Sequence, residues 1–326
     1  MKAALILPYF GRFGGLFPLW LRSCQHNPQI DWLIFSDQKF AGSIPPNVHF
    51  YHMQFEDLRR HIQQKYNFEV SLKSPYRLCN FKPAYGDIFS DYLTSFDYWG
   101  YCDCDLIWGK IGEYFSQNCD RYDRMGSLGH FTLLRNTEEL IHLYRKDDAF
   151  RIAFSYDYSF LFDEIGFRKI CQSSPLRCAP EPCLADFHPR HFNFDPVISC
   201  GLAADLPWQQ IFTWENGILL RWAVVNGCLV NHEVLYIHFL KRFMDISPGI
   251  ETFPRCMIVP NRIFPSQEKI SAQMVLEYSR RKFYFDYWRR GLTPTQIAKK
   301  IRHRFSPTRK KLMREIVNLV SVSTPH

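Results

Sequence analysis

The sequence predicts an α/β fold built around a mainly parallel sheet. Residues 3–7, 31–36 and 48–53 are short apolar runs bounded by turn-forming or polar residues, which is the pattern of buried strands. Residues 16–24 and 55–66 have the apolar spacing of helices and follow the first and third of these strands. Strands that alternate with helices at this rhythm are typical of parallel sheets.

The next part of the chain places two aspartates at the end of a predicted central strand. Residues 84–93 are predicted to be helical and lead into a strand at residues 98–101. The segment 102–105, with Asp103 and Asp105, then lies at the carboxyl end of that strand. Ligands of open α/β sheets bind outside the carboxyl ends of the strands, so these side chains lie where chemistry is expected.

Further strands and a proline-rich segment follow. Residues 124–134 are predicted to be a strand or turn near the site. Residues 214–225 are predicted to be extended and to open a hairpin at Asn226-Gly227. Residues 173–207 contain six prolines, which favours an excursion or a lid.

Composition and charge separate the body of the chain from its tail. The 326 residues are 46% hydrophobic and 17% aromatic, which is enough for a large core and argues against disorder. The net charge of +8 arises in the tail, because the segment from Arg280 onward has 13 Lys and Arg against two acids. We therefore predict an α/β domain at residues 1–265 and a mainly helical, basic extension at residues 266–326.

Cysteine usage and hydropathy indicate the compartment. Eleven cysteines without a C-x-x-C pair predict the reduced thiols of a cytoplasmic protein. The sequence has no convincing signal peptide and no apolar run of about 18 residues, so we expect a protein that is soluble or peripheral to a membrane. Cys102 and Cys104 are expected to pack in the core.

Asp103 and Asp105 are the sharpest candidates for chemistry. Carboxylates at positions i and i+2 of an extended chain point to the same side, where their repulsion favours a bound cation. Such oxygen ligands suit Mg²⁺ or Mn²⁺, which often bind substrate phosphates as well. Spacing alone leaves a second interpretation open, namely two aspartates in a surface turn.

A histidine far along the chain is the candidate third ligand. His238 lies in an apolar stretch and is followed by Lys241 and Arg242. This combination suits a metal–diphosphate site, because the cations offset the charge of a departing diphosphate. The alternative is a core histidine followed by solvated charges.

Two further clusters combine charge with aromatic residues. Arg77 and Lys82 could hold a base and its phosphates, or could belong to an ordinary helix start with Pro83 in its first turn. The adjacent acids Asp163 and Glu164 could bind acceptor hydroxyls or act as a base, or could form a solvated pair.

Several segments within residues 1–245 resemble, in order, a family of bacterial proteins encoded in surface-polysaccharide (capsule and O-antigen) gene clusters. The segments are LILPYFG from Leu5, LIFSD ending at Asp37, FKPAYG from Phe81, CDCDLIWG from Cys102 and GHFTLLRNTE from Gly129. Members of that family are described as glycosyltransferases. The family in turn resembles the GT-A superfamily of nucleotide-diphospho-sugar transferases, which implies a Rossmann-type α/β/α sandwich.

The GT-A resemblance also implies roles for individual residues. The implied metal ligands are Asp103, Asp105 and His238, the implied nucleotide and diphosphate contacts are Pro8, Tyr9, Phe10, Asp37 and Lys241, and the implied acids near the acceptor are Asp163 and Glu164. The ion would be Mn²⁺ or Mg²⁺ and the donor a UDP-sugar. The family more often has an acid where this chain has Asn80, so that position receives no role.

These features predict transfer of a sugar from a nucleotide-diphosphate donor to a glycan acceptor in the synthesis of bacterial surface polysaccharide. The alternatives are a sugar-1-phosphate nucleotidyltransferase, whose Gly-rich signature residues 11–15 match poorly, and a non-catalytic carbohydrate-binding protein. The basic, aromatic tail predicts contact with an anionic membrane surface, where a lipid-linked acceptor would lie. We therefore expect a cytoplasmic protein on the inner face of the membrane and no nucleic-acid partner, although the tail could instead pack on the body.

Overall fold

A computed structural model of the protein describes residues 1–158, 161–186, 210–239 and 244–279. The strands in these ranges are β1 (Ala3–Pro8), β2 (Ile30–Ser36), β3 (Val48–His52), β4 (Tyr98–Cys102), β5 (Leu106–Trp108), β6 (Arg124–Leu128), β7 (Phe131–Arg135), β8 (Ala185–Asp186), β9 (Gln210–Glu215), β10 (Ile218–Val225), β11 (Cys228–Glu233), β12 (Tyr236–His238), β13 (Asp245–Ile246), β14 (Arg255–Val259) and β15 (Arg262–Pro265). The α-helices are α1 (Phe17–Gln25), α2 (Phe55–Gln64), α3 (Tyr85–Ile88), α4 (Ile111–Asn118), α5 (Glu138–Ile141), α6 (Ala149–Ser155), α7 (Phe167–Gln172) and α8 (Ala272–Tyr278). The remaining helical segments are 3₁₀ helices at Pro75–Ala84, Ser90–Tyr92, Leu143–Arg145 and Ile250–Thr252, and a π-helical turn at Phe162–Gly166.

The main sheet of the described chain is mixed and has six strands in the order β3-β2-β1-β4-β7-β6. The strands β3, β2, β1 and β4 are parallel to one another, whereas β7 is antiparallel to both β4 and β6. The four parallel strands therefore end at the same edge of the sheet, and Asp103 follows β4 directly. The predicted α/β class and the central position of the strand at 98–101 are confirmed.

Strands β1 and β4 are covered on both faces of the sheet. Ala4 and Ile6 of β1 belong to one buried cluster, and Leu5 belongs to the cluster on the opposite face. Burial on both faces explains why these strands are continuous apolar runs in the sequence. At Gly100 of β4 a Cβ would lie 2.0 Å from the carbonyl oxygen of Thr132, so the close approach of β7 requires glycine there.

The helices beside the first strands begin where local chemistry favours them. Helix α1 has Pro18 in its first turn, where a missing N–H costs no hydrogen bond. Helix α2 has Glu56 and Asp57 in its first turn, where the helix dipole favours acids. Both helices confirm the predictions at residues 16–24 and 55–66.

The described residues form two further sheets, mainly from the second half of the chain. One has the order β11-β10-β9-β14-β15-β13 and is antiparallel except between β13 and β15. The other has the order β5-β12-β8. Its antiparallel pairing of β12 with β5 places His238 opposite Leu106, the residue after Asp105. Strand pairing therefore brings a histidine from late in the sequence to the end of β4.

The predicted hairpin at residues 226–227 is confirmed. Asn226 and Gly227 join β10 to β11 and have φ values of 51° and 79°, as a two-residue type I′ turn requires. The single extended segment predicted at residues 214–225 is wrong, because Asn216-Gly217 forms a second turn with positive φ that divides it between β9 and β10.

The helical segment predicted at residues 84–93 is confirmed, although it is divided between an α-helix and a 3₁₀ helix at Ser90–Tyr92. Only Tyr85–Ile88 is α-helical, and a 3₁₀ helix at Pro75–Ala84 precedes it. Pro83 lies inside this 3₁₀ helix, where it cannot donate a backbone hydrogen bond. Lys82 therefore projects from the tighter 3₁₀ helix rather than from the start of an α-helix.

The start of the predicted C-terminal extension packs on the antiparallel sheet. Val275 of α8 is buried in one cluster with Ile211 of β9 and Met257 of β14. Residues 280–326, which carry the basic charge, lie outside the described residues, as does most of the proline-rich segment predicted to be a lid, and the domain boundary at residue 265 stays a prediction. Within the described ranges, none of the helices has the length and apolar character to cross a bilayer.

Candidate metal centre

Asp103, Asp105 and His238 meet at the carboxyl end of β4. Each offers one ligand atom, and these atoms all lie within 4.8 Å of one another. Nε2 of His238 is 3.5 Å from Oδ1 of Asp105. The two aspartates are half-buried and the histidine is buried, so the group could hold a metal ion. Two carboxylates and one imidazole are a donor set that divalent cations such as Mn²⁺ accept.

The backbone around the two aspartates is fixed on both sides. The N–H of Asp103 donates to the carbonyl oxygen of His130, at 3.2 Å, in the turn between β6 and β7. The N–H of Phe239 donates to the carbonyl oxygen of Asp105, at 2.9 Å. The candidate ligands therefore lie on chain segments that neighbouring elements hold in place.

Lys82 contacts carboxylates in this site. Its Nζ donates to Oδ1 of Asp103 at 2.6 Å and to the carbonyl oxygen of Gly129 at 2.7 Å, and it lies 3.7 Å from Oδ2 of Asp163. Burial lowers the pKa of Lys82, but the charges of Asp103 and Asp163 outweigh burial and raise that pKa well above its ordinary value. Lys82 is therefore a permanent cation between two acids.

Asp163 and Glu164 differ in their surroundings although they are adjacent. Asp163 is 4% exposed, and its burial raises its pKa to about 7 against the opposing charge of Lys82. Glu164 is exposed. Both lie against Gly129, where a Cβ would be 2.5 Å from Oδ2 of Asp163 and 2.7 Å from Cγ of Glu164. Of the two predicted acids, only Glu164 reaches the surface, whereas Asp163 faces Lys82.

The residues predicted to bind the nucleotide follow β1 and β2. Pro8, Tyr9 and Phe10 are half-buried, and Asp37 accepts a hydrogen bond from the N–H of Gly11 at 3.1 Å. Burial raises the pKa of the Tyr9 phenol, and the neighbouring Cys104 and Asp105 side chains raise that pKa further. The end of β1 therefore lies beside the segment that carries the candidate metal ligands.

The remaining residues singled out in the sequence are Arg77, Lys241 and the two cysteines beside Asp103. Arg77 forms an ion pair with Asp157, with Nε 2.9 Å from Oδ1. Lys241 lies outside the described residues. Cys102 is buried in the core, as predicted, and Cys104 is half-buried and packs against the same core cluster.

The matching family model covers residues 5–267. The chain belongs to DUF6625, a family of unknown function. The DUF6625 match includes Asp103, Asp105 and His238, and ends before the basic tail. No curated protein matches the chain significantly.

Two residues that contact the candidate site, His130 and Tyr236, were not predicted from the sequence. His130 stacks on His238 with ring centroids 4.0 Å apart and planes at 26°, and its Nε2 is 3.1 Å from the hydroxyl of Tyr236. Burial lowers the pKa of His130 well below its ordinary value, and the charges of His238 and Lys82 lower it further. The available signal for His130 was its place within residues 124–134, the segment predicted to be a strand or turn near the site.

Proposed function

We propose that this protein is a metal-dependent glycosyltransferase that transfers a sugar from a nucleotide-diphosphate donor to a glycan acceptor. The observation that carries the proposal is the group of Asp103, Asp105 and His238 at the carboxyl edge of the parallel strands. This edge is where α/β enzymes bind nucleotides, and paired carboxylates hold the cations that accompany phosphates. A GT-A type of fold, a UDP-sugar donor and Mn²⁺ or Mg²⁺ as the ion are parts of the same proposal.

Sugar transfer from such a donor needs positive charge where the diphosphate leaves. A divalent cation bound by the three ligands would supply it as a Lewis acid. Besides the phosphate contact predicted from the sequence, Lys82 has contacts within the protein, because its ammonium group donates to Asp103 and to the carbonyl oxygen of Gly129. Lys82 orients the Asp103 carboxylate, and it lowers the repulsion between Asp103 and the nearby Asp163.

The donor nucleoside is assigned to the ends of β1 and β2. Tyr9 offers a half-buried aromatic ring beside Asp105, and rings of this kind stack on nucleobases. Asp37 orders the loop after β1 by accepting the N–H of Gly11, and its second carboxylate oxygen suits a ribose hydroxyl. Pro8 and Phe10 shape the same loop.

The acceptor is assigned to the side of the site where Glu164 is exposed. An exposed carboxylate there could take the proton of the attacking hydroxyl in an inverting reaction. Asp163 is buried and contacts Lys82 on the inner side of the site, so it is assigned no contact with the acceptor. Replacement of Glu164 by Gln should abolish an inverting transfer and should be tolerated by a retaining one that needs no base at this position.

Surface-polysaccharide synthesis and membrane contact rest on the sequence alone. The tail from Arg280 to His326 combines basic and aromatic residues, as surface-bound helices do. Deletion of residues 280–326 should remove binding to anionic liposomes while binding of the nucleotide donor persists. Equal liposome binding by the full chain and the deletion variant would refute the membrane role.

The proposed activity can be tested with a panel of nucleotide sugars and the full-length protein. Metal-dependent binding of one nucleotide sugar, with slow release of its nucleoside diphosphate, is the expected result with Mn²⁺ and should vanish in EDTA. Asp103→Ala and Asp105→Ala should lose it, whereas Asp120→Ala, at an exposed acid on the surface, should keep it. Failure to bind any nucleotide would overturn the proposal. Formation of a nucleoside triphosphate and a sugar 1-phosphate when pyrophosphate is added to the nucleotide sugar would indicate a nucleotidyltransferase instead.

A further inference from the structure

We propose that His130 is a positioning residue that holds two of the three candidate metal ligands, one through its backbone and one through its ring. Its carbonyl oxygen accepts the N–H of Asp103 at 3.2 Å. Its imidazole stacks on that of His238, with centroids 4.0 Å apart and planes at 26°. The inference rests on the proposed metal site, and it adds a residue that does not itself touch the ion.

His130 can hold His238 because its own ring is held. Nε2 of His130 lies 3.1 Å from the hydroxyl of Tyr236. The ring of Tyr236 is fully buried and packs edge-on against Trp108 and Phe131, with centroids 5.3 Å and 5.6 Å away. Since His130 is itself only 3% exposed, neither ring has room to turn away.

The arrangement follows from strand geometry. Tyr236 and His238 are two residues apart on β12, so their side chains project from the same face of the strand. The ring of His130 contacts both of them, by a hydrogen bond to Tyr236 and by stacking on His238. The three side chains therefore form a row in which β12 supplies both outer members and the turn between β6 and β7 supplies the middle one.

The turn between β6 and β7 also contacts the ammonium group of Lys82. The carbonyl oxygen of Gly129 accepts from Lys82 at 2.7 Å, and the carbonyl oxygen of His130 accepts from Asp103. The two-residue segment Gly129-His130 thus touches Lys82, Asp103 and His238. A segment that served packing alone would have no need to engage each of these polar groups.

Fixing the ring of His238 should matter for metal affinity, because a ligand must aim its lone pair at the ion. Loss of the groups that orient metal ligands typically weakens binding by about 10–100-fold. We therefore expect His130→Ala to weaken Mn²⁺ binding by about this factor. His130→Phe should remain much closer to wild type, because a flat ring at this position preserves the stack.

The test is Mn²⁺ titration of the full-length protein, followed by electron paramagnetic resonance of free and bound ion. Wild type, His130→Ala, His130→Phe and Tyr236→Phe are compared, with His26→Ala as the matched control. His26 also packs on an aromatic ring, that of Trp214, but lies outside the site. The bound-ion spectrum should change in His130→Ala and not in His26→Ala.

The outcomes separate this inference from the proposed function. If wild type binds no Mn²⁺, both the metal site and the role of His130 are wrong. If wild type binds Mn²⁺ and His130→Ala binds it equally well with an unchanged spectrum, only the positioning role is wrong. Urea unfolding shows whether a variant is folded. If His130→Ala is not folded, His130→Phe and Tyr236→Phe decide, because each keeps a ring stacked on His238 and loses the hydrogen bond between positions 130 and 236. A similar, small loss of Mn²⁺ affinity in both variants supports the row of side chains, and any other pattern overturns it.

Discussion

The ammonium group of Lys82 lies 2.6 Å from Oδ1 of Asp103 and 3.7 Å from Oδ2 of Asp163. One buried cation therefore joins a candidate metal ligand to a buried acid. Lys82 is 7% exposed and Asp163 is 4% exposed, so water solvates these two groups very little. Their charges must therefore be compensated by contacts within the protein. Removal of the Lys82 ammonium group should be visible in stability as well as in function.

Replacement of Lys82 by Met should destabilise the fold. Removal of one partner from a buried ion pair typically costs about 3–5 kcal/mol, and we expect the low end because about a third of the Asp103 side chain is exposed. Urea unfolding at pH 8 in EDTA measures the change. Lys110→Met is the control, since its pair with Glu113 is exposed and should contribute less than about 1 kcal/mol. Equal losses in the two variants would contradict the prediction.

The raised pKa of Asp163 makes stability depend on pH. Its pKa is about 7 in the folded protein against an ordinary value of 3.8, so between these values the folded state binds more protons than the unfolded state. The contribution of Asp163 is therefore fully present below about pH 4 and is lost as pH rises through 7, with a slope of at most about 1.4 kcal/mol per pH unit. Asp163→Asn should remove this slope.

The measurement is urea unfolding of wild type and Asp163→Asn in EDTA from pH 5 to pH 8. The stability difference between them should shift in favour of the variant as pH rises. Asp120→Asn, at an exposed position, should follow wild type at every pH. Parallel curves for wild type and Asp163→Asn would show that Asp163 titrates in its ordinary range.

Gly129 should not tolerate a side chain. An added Cβ would lie 2.5 Å from Oδ2 of Asp163, so Gly129→Ala must displace the turn or the acid, at a cost of about 1–3 kcal/mol. Gly14→Ala is the matched control, because nothing lies within 4 Å of a Cβ there. Thermal unfolding compares the two, and Mn²⁺ affinity should fall only in Gly129→Ala. A Gly129→Ala variant as stable as Gly14→Ala would contradict the close contact between the turn and Asp163.

The strands that position the site, and the three candidate metal ligands, could be predicted from the sequence. The apolar runs of β1, β2 and β4 show strands buried on both sides, and such strands end where α/β proteins bind ligands. Asp103 and Asp105 could be predicted because side chains two residues apart on an extended chain point to the same side. His238 could be predicted because Lys241 and Arg242 follow it in the sequence and because the GT-A resemblance implies a histidine ligand there. Its pairing opposite Leu106 brings it to the site.

The remaining contacts depend on geometry that no local pattern specifies. His130 reaches His238 through a hairpin whose register shifts between Met125 and Leu128. Asp163 is buried because Leu161, with φ of 53°, turns the chain into a π-helical segment. Left-handed backbone at leucine is rarely adopted, so composition gave no reason to expect it. Lys82 contacts both of these segments, through the carbonyl oxygen of Gly129 and the carboxylate of Asp163, and no sequence pattern near Lys82 indicates these contacts.

Arg124 offers a last prediction because two of its guanidinium nitrogens are buried without an acceptor. The residue is 4% exposed, and neither Nε nor Nη2 has a hydrogen-bond partner within the described ranges of the chain. A buried charge of this kind is costly, and its replacement by an apolar side chain of similar length is often neutral or stabilising. Arg124→Met should therefore be as stable as wild type or more stable by up to about 2 kcal/mol.

Urea unfolding compares the stability of Arg124→Met with that of a control variant, Arg221→Met. Arg221 is also buried, at 1% exposed, but its Nη2 donates to the carbonyl oxygen of Leu184 and its guanidinium lies 5.7 Å from the ring centre of Phe212. Loss of these contacts should destabilise Arg221→Met by about 1–3 kcal/mol. A loss of stability in Arg124→Met as large as that in Arg221→Met would contradict the prediction. It would mean that the guanidinium of Arg124 has hydrogen-bond acceptors in solution, because removal of the side chain then breaks stabilising contacts.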